Sequence, residues 1–404
     1  MRLALALGVM IGAGACTSAA AQSMPAGASN QRMFKVGLTT DVIYDSNIAQ
    51  GSNALARQLV IRPSDETVRP LLNATVVQPL GRQAFFLNMA AGYDFHRYNK
   101  QLDHINVDAS GGARVPTGPC LTTLTGTYTA AQSDPYEVPG GSGKNLLTDT
   151  SEVLSVACQT SGGFGGQIAA QHGDTSNSNP TRLSSDHTVN GVSGSFGYSN
   201  AGLGTIGISG SESKQTFPSR MNAKGTLGDS YTSTSLGVVY SKTIGTKLSA
   251  SVTAGGSQIK RESAPPGVPL TSRGLNYNAA VTYNVSHALQ LQANVARAYK
   301  PSNSPGKLYD LTTSASLSGR YNLGSRISIS AGGTFEKSVS NSDTTGSFIL
   351  PTSFRQQSYN ASVRYQPSPR ASVSLSVQQE QKTANIHTFD FTNTEAKISL
   401  GLSY

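Results

Sequence analysis

The clearest periodicity lies in the last residues, where Ala396, Ile398, Leu400, Leu402 and Tyr404 alternate with Lys397, Ser399, Gly401 and Ser403. Apolar residues two apart mark one face of an extended strand, whereas a helix would bring them three and four apart. The segment from Ala371 repeats the pattern, with Val373, Leu375 and Val377 set against Ser372, Ser374 and Ser376. Pro367-Ser368-Pro369, just before it, reads as a turn. The same unit recurs back along the chain: two alternating segments, a tight turn between them, then a longer polar connection. Tight connections fall near Gly81-Arg82, Pro116 to Pro119, Ser161 to Gly163, Ser199 to Gly202, Ser241 to Gly245, Ser286-His287, Asn322 to Ser325 and Pro367 to Pro369. Longer ones fall near 45–65, 98–104, 134–147, 174–185, 215–226, 261–272, 300–306, 338–353 and 382–388. Eight short and nine long connections define 18 strands.

An even strand number with alternating short and long joins predicts an all-β fold, a closed antiparallel transmembrane β-barrel. Both termini then lie on the short-turn side, the periplasm, and the long loops lie outside. The weakest segments are 149–158 and 204–214, which carry little apolar signal. Aromatic residues gather near strand ends, as interfacial girdles require: Phe34, Tyr44, Tyr93, Phe95, Tyr198, Tyr240, Tyr283, Tyr299, Tyr309, Tyr321, Phe335, Tyr365 and Tyr404. A soluble β-helix or adhesin would not explain the regular alternation of short and long connections.

Composition supports the same class. Charged residues make up 13% of the chain, well below the quarter usual in soluble domains, and 42 glycines accompany many serines and threonines. Disorder is the other reading of such a composition, but alternation over nearly the whole length opposes it. Arg2, the apolar run Leu3 to Ala13 and the small residues Ala19-Ala20-Ala21 form an expected export signal over 1–21, with Gln22 as the mature start. Cys16 offers a rival, a lipoprotein acylation site, although Ala13 stands where a larger aliphatic residue is usual. A short periplasmic segment, 22–32, then leads into a barrel over 33–404. Beyond the signal nothing approaches the roughly 20 apolar residues of a spanning helix.

Cys120 opens the strand after one short turn and Cys158 ends its antiparallel neighbour, so both fall at one rim and on one face. In an oxidising periplasm that arrangement predicts a disulfide. His96, His104, His172, His187, His287 and His387 have no ligand spacing, and no nucleophile, metal or cofactor motif stands out. The expectation is therefore a non-enzyme with no cofactor, no metal site and no nucleic-acid partner. Net charge is +9, which favours anionic partners. Strand parity turns basic residues inward: Lys35, Arg69, Arg114, Lys247, Arg320, Arg326, Arg364, Arg370 and Lys397 outnumber inward acids such as Asp41, Asp94, Asp108 and Asp310. Such a lining suits an anionic, hydroxyl-rich solute or polymer held by many weak contacts. The plain alternative is that each cation merely pairs with a nearby acid.

At Asp41 to Ile48 the chain reads DVIYDSNI, where the first strand enters its first long loop. Followed by Gly/Ser-rich alternation to the end, this resembles the outer-membrane β-barrel porins associated with exopolysaccharide and capsule export. The resemblance implies an outer-membrane channel that gives a secreted polysaccharide, expected here to be anionic, its route out. It implies a separate periplasmic export protein, because the segment before the first strand is too short for a scaffold. Tyr44, Asp45 and Asn47, with Asp41, would close the first strand and loop. Tyr404 resembles the aromatic ending that barrel assembly machinery recognises; membrane lipids and lipopolysaccharide complete the expected partners. Two alternatives use nearly the same wall: a diffusion porin for small solutes, and a structural or adhesive barrel with a blocked lumen. An inward-folded long loop is the feature that would separate them.

Overall fold

The computed structural model describes residues 32–133, 143–264, 269–303, 307–342 and 351–404. The expected export signal and Cys16 lie outside these residues, as does all of 22–32 except Arg32, and so do parts of the connections near 134–147, 261–272, 300–306 and 338–353. Eighteen strands follow in order: β1 (Met33–Asp45), β2 (Asp65–Leu80), β3 (Gln83–His96), β4 (His104–Thr117), β5 (Cys120–Gln132), β6 (Leu146–Gln159), β7 (Phe164–Asn177), β8 (His187–Asn200) and β9 (Gly204–Met221). The second half comprises β10 (Leu227–Ile244), β11 (Leu248–Arg261), β12 (Thr271–Asn284), β13 (Leu289–Pro301), β14 (Lys307–Leu323), β15 (Ile327–Ser342), β16 (Ser353–Ser368), β17 (Ala371–Ala384) and β18 (Phe391–Ser403). Each strand pairs with its successor in sequence, and β1 pairs antiparallel with both β2 and β18. The chain is thus a closed 18-strand antiparallel barrel.

Closure puts the two ends side by side, with reciprocal bonds from Val36 N–H to Tyr404 O (3.1 Å) and from Tyr404 N–H to Val36 O (2.8 Å). Both ends therefore share the rim that carries the short turns. Three of those turns have two residues: Leu80 faces Gln83, Thr117 faces Cys120 and Ser368 faces Ala371. Gly81 and Gly118 take positive φ there (62° and 58°), which a side chain would resist. The register sorts side chains between the two faces. Leu38 stands between Leu72 and Leu402, and Val42 between Val68 and Ile398, and all six are exposed on the outer face. On the opposite face β14 to β17 present serine after serine, with Ser330 and Ser362 hydroxyls 2.7 Å apart.

Strands of 13 to 18 residues exceed the roughly 9–11 a tilted strand needs to cross the bilayer. The surplus explains the main departure from expectation. The 215–226 segment, expected as a long loop, is mostly strand: β9 continues to Met221 and β10 begins at Leu227. Phe217 in this segment and Tyr231 on β10 beyond it face inward, so the outward positions need only be polar above the apolar belt. The weak segments 149–158 and 204–214 are strands for the same reason of small side chains. Two turns also shift. β10 runs on to Ile244, leaving Gly245, Thr246 and Lys247 as the turn. Pro367 lies in the bulged end of β16, where the interrupted ladder asks no N–H of it, and the turn proper is Pro369-Arg370.

Cys120 and Cys158 lie directly opposite on β5 and β6 and are joined as a disulfide. Thirteen cross-strand pairs hold the same two strands together, so the bond reinforces a hairpin that is already specified. Replacing both cysteines by alanine should leave a heat-modifiable barrel and cost no more than about 2–4 kcal/mol in urea unfolding from micelles. Failure of the double variant to form a barrel would mean that the disulfide directs folding.

Candidate functional site

The lumen is divided along its axis by charge. Towards the long-loop end, carboxylates face inward on many strands: Asp41, Asp94, Asp108, Asp149, Asp229, Asp310, Glu336, Glu380 and Glu395. From the mid-wall to the short-turn rim, no carboxylate among the described residues faces the lumen, whereas Lys35, Arg114, Arg320 and Arg364 do.

The expected basic residues accordingly fall into different settings. Arg69 is not a free pore cation: its Nε donates to Asp94 Oδ1 (2.6 Å), and Asp94 also lies 3.6 Å from His104 Nε2. It braces β2 against β3 beneath the long-loop end. Lys397 sits halfway down β18, paired in register with Ser376 and Ile43. Arg114 lies with its guanidinium 5.3 Å from the Phe86 ring. Lys247 and Arg326 are exposed turn residues, not strand residues. Lys35, Arg364 and Arg370 come together: with Thr39, Asn73, Thr75 and Ser372 they line one recess in the lumen wall at the short-turn end. Arg320 lies two strands from Arg364, with Ser328 and Ser330 of β15 between them. Arg320, Arg364 and Arg370 are exposed and have no carboxylate partner.

Asp41 is buried on the inner face of β1 opposite Arg69, while Tyr44 points outward. Asp45 accepts from the Asn47 N–H (2.8 Å), and the Asn47 N–H also reaches Asn393 Oδ1 (2.9 Å). Asn47 Nδ2 donates to Gly51 O (3.0 Å), so these residues tie the start of the first loop to β18 at the seam.

Two small apolar cores form at the long-loop end, and neither was legible from strand periodicity. The first joins three connections. A short helix, α1 (Asn53–Gln58), is capped by Ser52 Oγ accepting from the Leu55 N–H (3.3 Å). Leu55, Ala56, Leu59 and Ile61 pack against Leu102, Ala384 and Phe389. Asp65 anchors this cap by accepting from the N–H groups of Tyr98 (3.0 Å) and Asn99 (2.9 Å). Asp390 does likewise, accepting from the Ala384 N–H (2.6 Å); this bond and the neighbouring His387 hold its carboxyl below the usual range.

The second core is built by the top of the β13–β14 hairpin. The ladder between β12 and β13 stops at Tyr277 and Arg297, and beyond it β13 leans into the lumen. Tyr299, expected in the outer girdle, instead lies inside: its N–H donates to Asn276 Oδ1 (2.7 Å) and its hydroxyl to Ser272. Gly274 makes this possible, since a Cβ there would stand 2.5 Å from the tyrosine ring. Leu308 then completes a buried cluster with Phe217, Tyr231 and Ile259. Arg220 fastens the arrangement, its guanidinium 3.4 Å from the Phe217 ring and bonded to carbonyls of Ser184 (3.0 Å) and Asn303.

No family model matches the chain, and no curated protein matches it in sequence. Among solved structures it is similar to the apo FrpB iron transporter of Neisseria meningitidis (F5-1 variant), with a TM-score of 0.51 and 9% identity over 87% of this chain and 62% of that one. OccK2 (OpdF) of Pseudomonas aeruginosa in complex with glucuronate has a TM-score of 0.48 at 12% identity, over 92% and 98% of the two chains. OpdK of Pseudomonas aeruginosa has a TM-score of 0.48 at 10% identity, over 92% and 99%. The fold is that of a bacterial outer-membrane barrel. In this outer-membrane barrel the short-turn half of the lumen carries cations without carboxylate partners among the described residues, and the long-loop end carries the two apolar cores.

If the inward hairpin narrows the barrel, Gly274→Ile should expel Tyr299 and raise single-channel conductance in planar bilayers, with folding unchanged by heat modifiability. Unchanged conductance in the folded variant would show that the hairpin does not set the bore.

Proposed function

We propose that this protein is an outer-membrane diffusion channel that favours small anionic, hydroxyl-rich solutes. The observation that carries the reading is the short-turn half of the lumen, free of acidic side chains among the described residues, where Lys35, Arg320, Arg364 and Arg370 stand without carboxylate partners among those residues. A cluster of one sign in a low-dielectric wall raises the local concentration of the opposite charge. Serine, threonine, asparagine and glutamine around and above it exchange hydrogen bonds with a hydroxylated solute without fixing it in place. At the long-loop end the cations are largely engaged by acids, so that mouth adds little pull on an anion and release there is easy.

Secretion of a polysaccharide, implied by the resemblance around DVIYDSNI, finds no support in the structural likeness to FrpB, an iron transporter. The inward Tyr299–Leu308 core also argues against it, because a continuous polymer needs an unobstructed bore whereas a small solute can pass beside a hairpin.

Replacing Lys35, Arg320, Arg364 and Arg370 by glutamine keeps the wall polar and removes its field. Uptake of an acidic sugar into proteoliposomes should fall by on the order of tenfold, while a neutral sugar of equal size changes little. Equal rates for the acidic sugar in wild type and a correctly inserted quadruple variant would remove the cationic mouth from the account.

A further inference from the structure

The outer face carries an unexplained charge pattern. Lys337 on β15 and Arg355 on β16 stand directly opposite one another, both exposed and both facing out. Like charges in that position on an antiparallel pair oppose folding unless something neutralises them. The same cross-strand row continues from Lys337 through Thr313 to Arg297 on β13. Nε of Arg297 is buried without a hydrogen-bond partner. No Asp or Glu faces outward on β12 to β17 among the described residues.

Two outward cations elsewhere at this end are answered by acids within the protein. Arg97 binds Glu66 (2.7 Å), and Lys214 faces Glu262. The row of Arg297, Lys337 and Arg355 has no such answer among the described residues. It lies two residues beyond the exposed apolar positions Val295 and Phe335, and four beyond Tyr359, on the long-loop side, with the scattered apolar residues Leu275 and Val339 exposed further out. Two residues of a tilted strand rise roughly 5 Å, which sets the cations at the level where headgroups begin. With the long loops outside, that leaflet is the outer one.

We infer that Arg297, Lys337 and Arg355 form a lipid site for the phosphates of a lipid A-type phosphorylated glycolipid of the outer leaflet. Guanidinium groups bind phosphate through paired N–H donors, and the ammonium of Lys337 between them adds a point charge. Such a headgroup neutralises the opposed pair, and its acyl chains lie along the apolar strip of Val295, Leu317 and Phe335 below it.

The test uses the full-length barrel in detergent micelles, with folding checked by heat modifiability. Wild type should retain phosphorylated glycolipid through purification, read by native mass spectrometry, and its thermal midpoint should rise when bisphosphorylated lipid A is added. Dephosphorylated lipid A should give no rise. The triple variant Arg297→Gln, Lys337→Gln and Arg355→Gln should fold, lose the retained lipid and lose the shift, whereas Lys337→Arg keeps both and Lys242→Gln at the opposite rim changes neither. Retention by the triple variant equal to wild type, an equal shift with the dephosphorylated lipid, or an equal shift with phosphatidylglycerol would each overturn the assignment.

Discussion

Everything in this molecule depends on satisfying backbone hydrogen bonds where water is absent. In hydrocarbon each unpaired N–H or C=O costs several kcal/mol, so a sheet can cross only if it has no edge. The nine residue pairs between β1 and β18 supply that condition, and they join the two ends of the described chain. Once the ring is closed, the period of two along each strand sends one set of side chains to lipid and the other to the lumen. The leucines and valines of the outer face and the serines of the inner face are consequences of that one constraint.

Strand length then sets where chemistry can vary. Outside the apolar belt the outward residues are free to be polar, and β9 and β10 use this freedom to extend well past it. Inside, the long-loop end is built from engaged pairs, Arg69 with Asp94 and Arg261 with Asp229, together with the two apolar caps. Among the described residues the short-turn end of the lumen has neither caps nor acidic side chains. Packing and paired charge are thus concentrated inside the long-loop end, and unbalanced positive charge in the lumen at the short-turn end.

Strand number, closure and the Cys120–Cys158 pairing were legible because each follows from a period of two counted between turns. Even the Arg69–Asp94 pair could have been found this way: the Gly81-Arg82 turn fixes Leu80 against Gln83, and the ladder between Val68–Phe95 and Leu71–Gly92 then sets Arg69 opposite Asp94. What parity could not reach was any place where the chain leaves the sheet. Tyr299 has outward parity but turns inward, because the glycine at 274 opens a space on a strand about 25 residues away in sequence that only the three-dimensional register reveals. Lys247 failed for a smaller reason, a turn displaced by two residues. The first cap was hidden because its apolar residues come from three connections, none of which has a period.

The central claim is an open bore whose entry field favours anions. The most direct measurement is the zero-current potential of the purified wild-type barrel in a planar bilayer across a potassium chloride gradient. The account predicts discrete conductance with chloride more permeant than potassium. A cation-selective current, or a fully inserted barrel that conducts nothing, would contradict it.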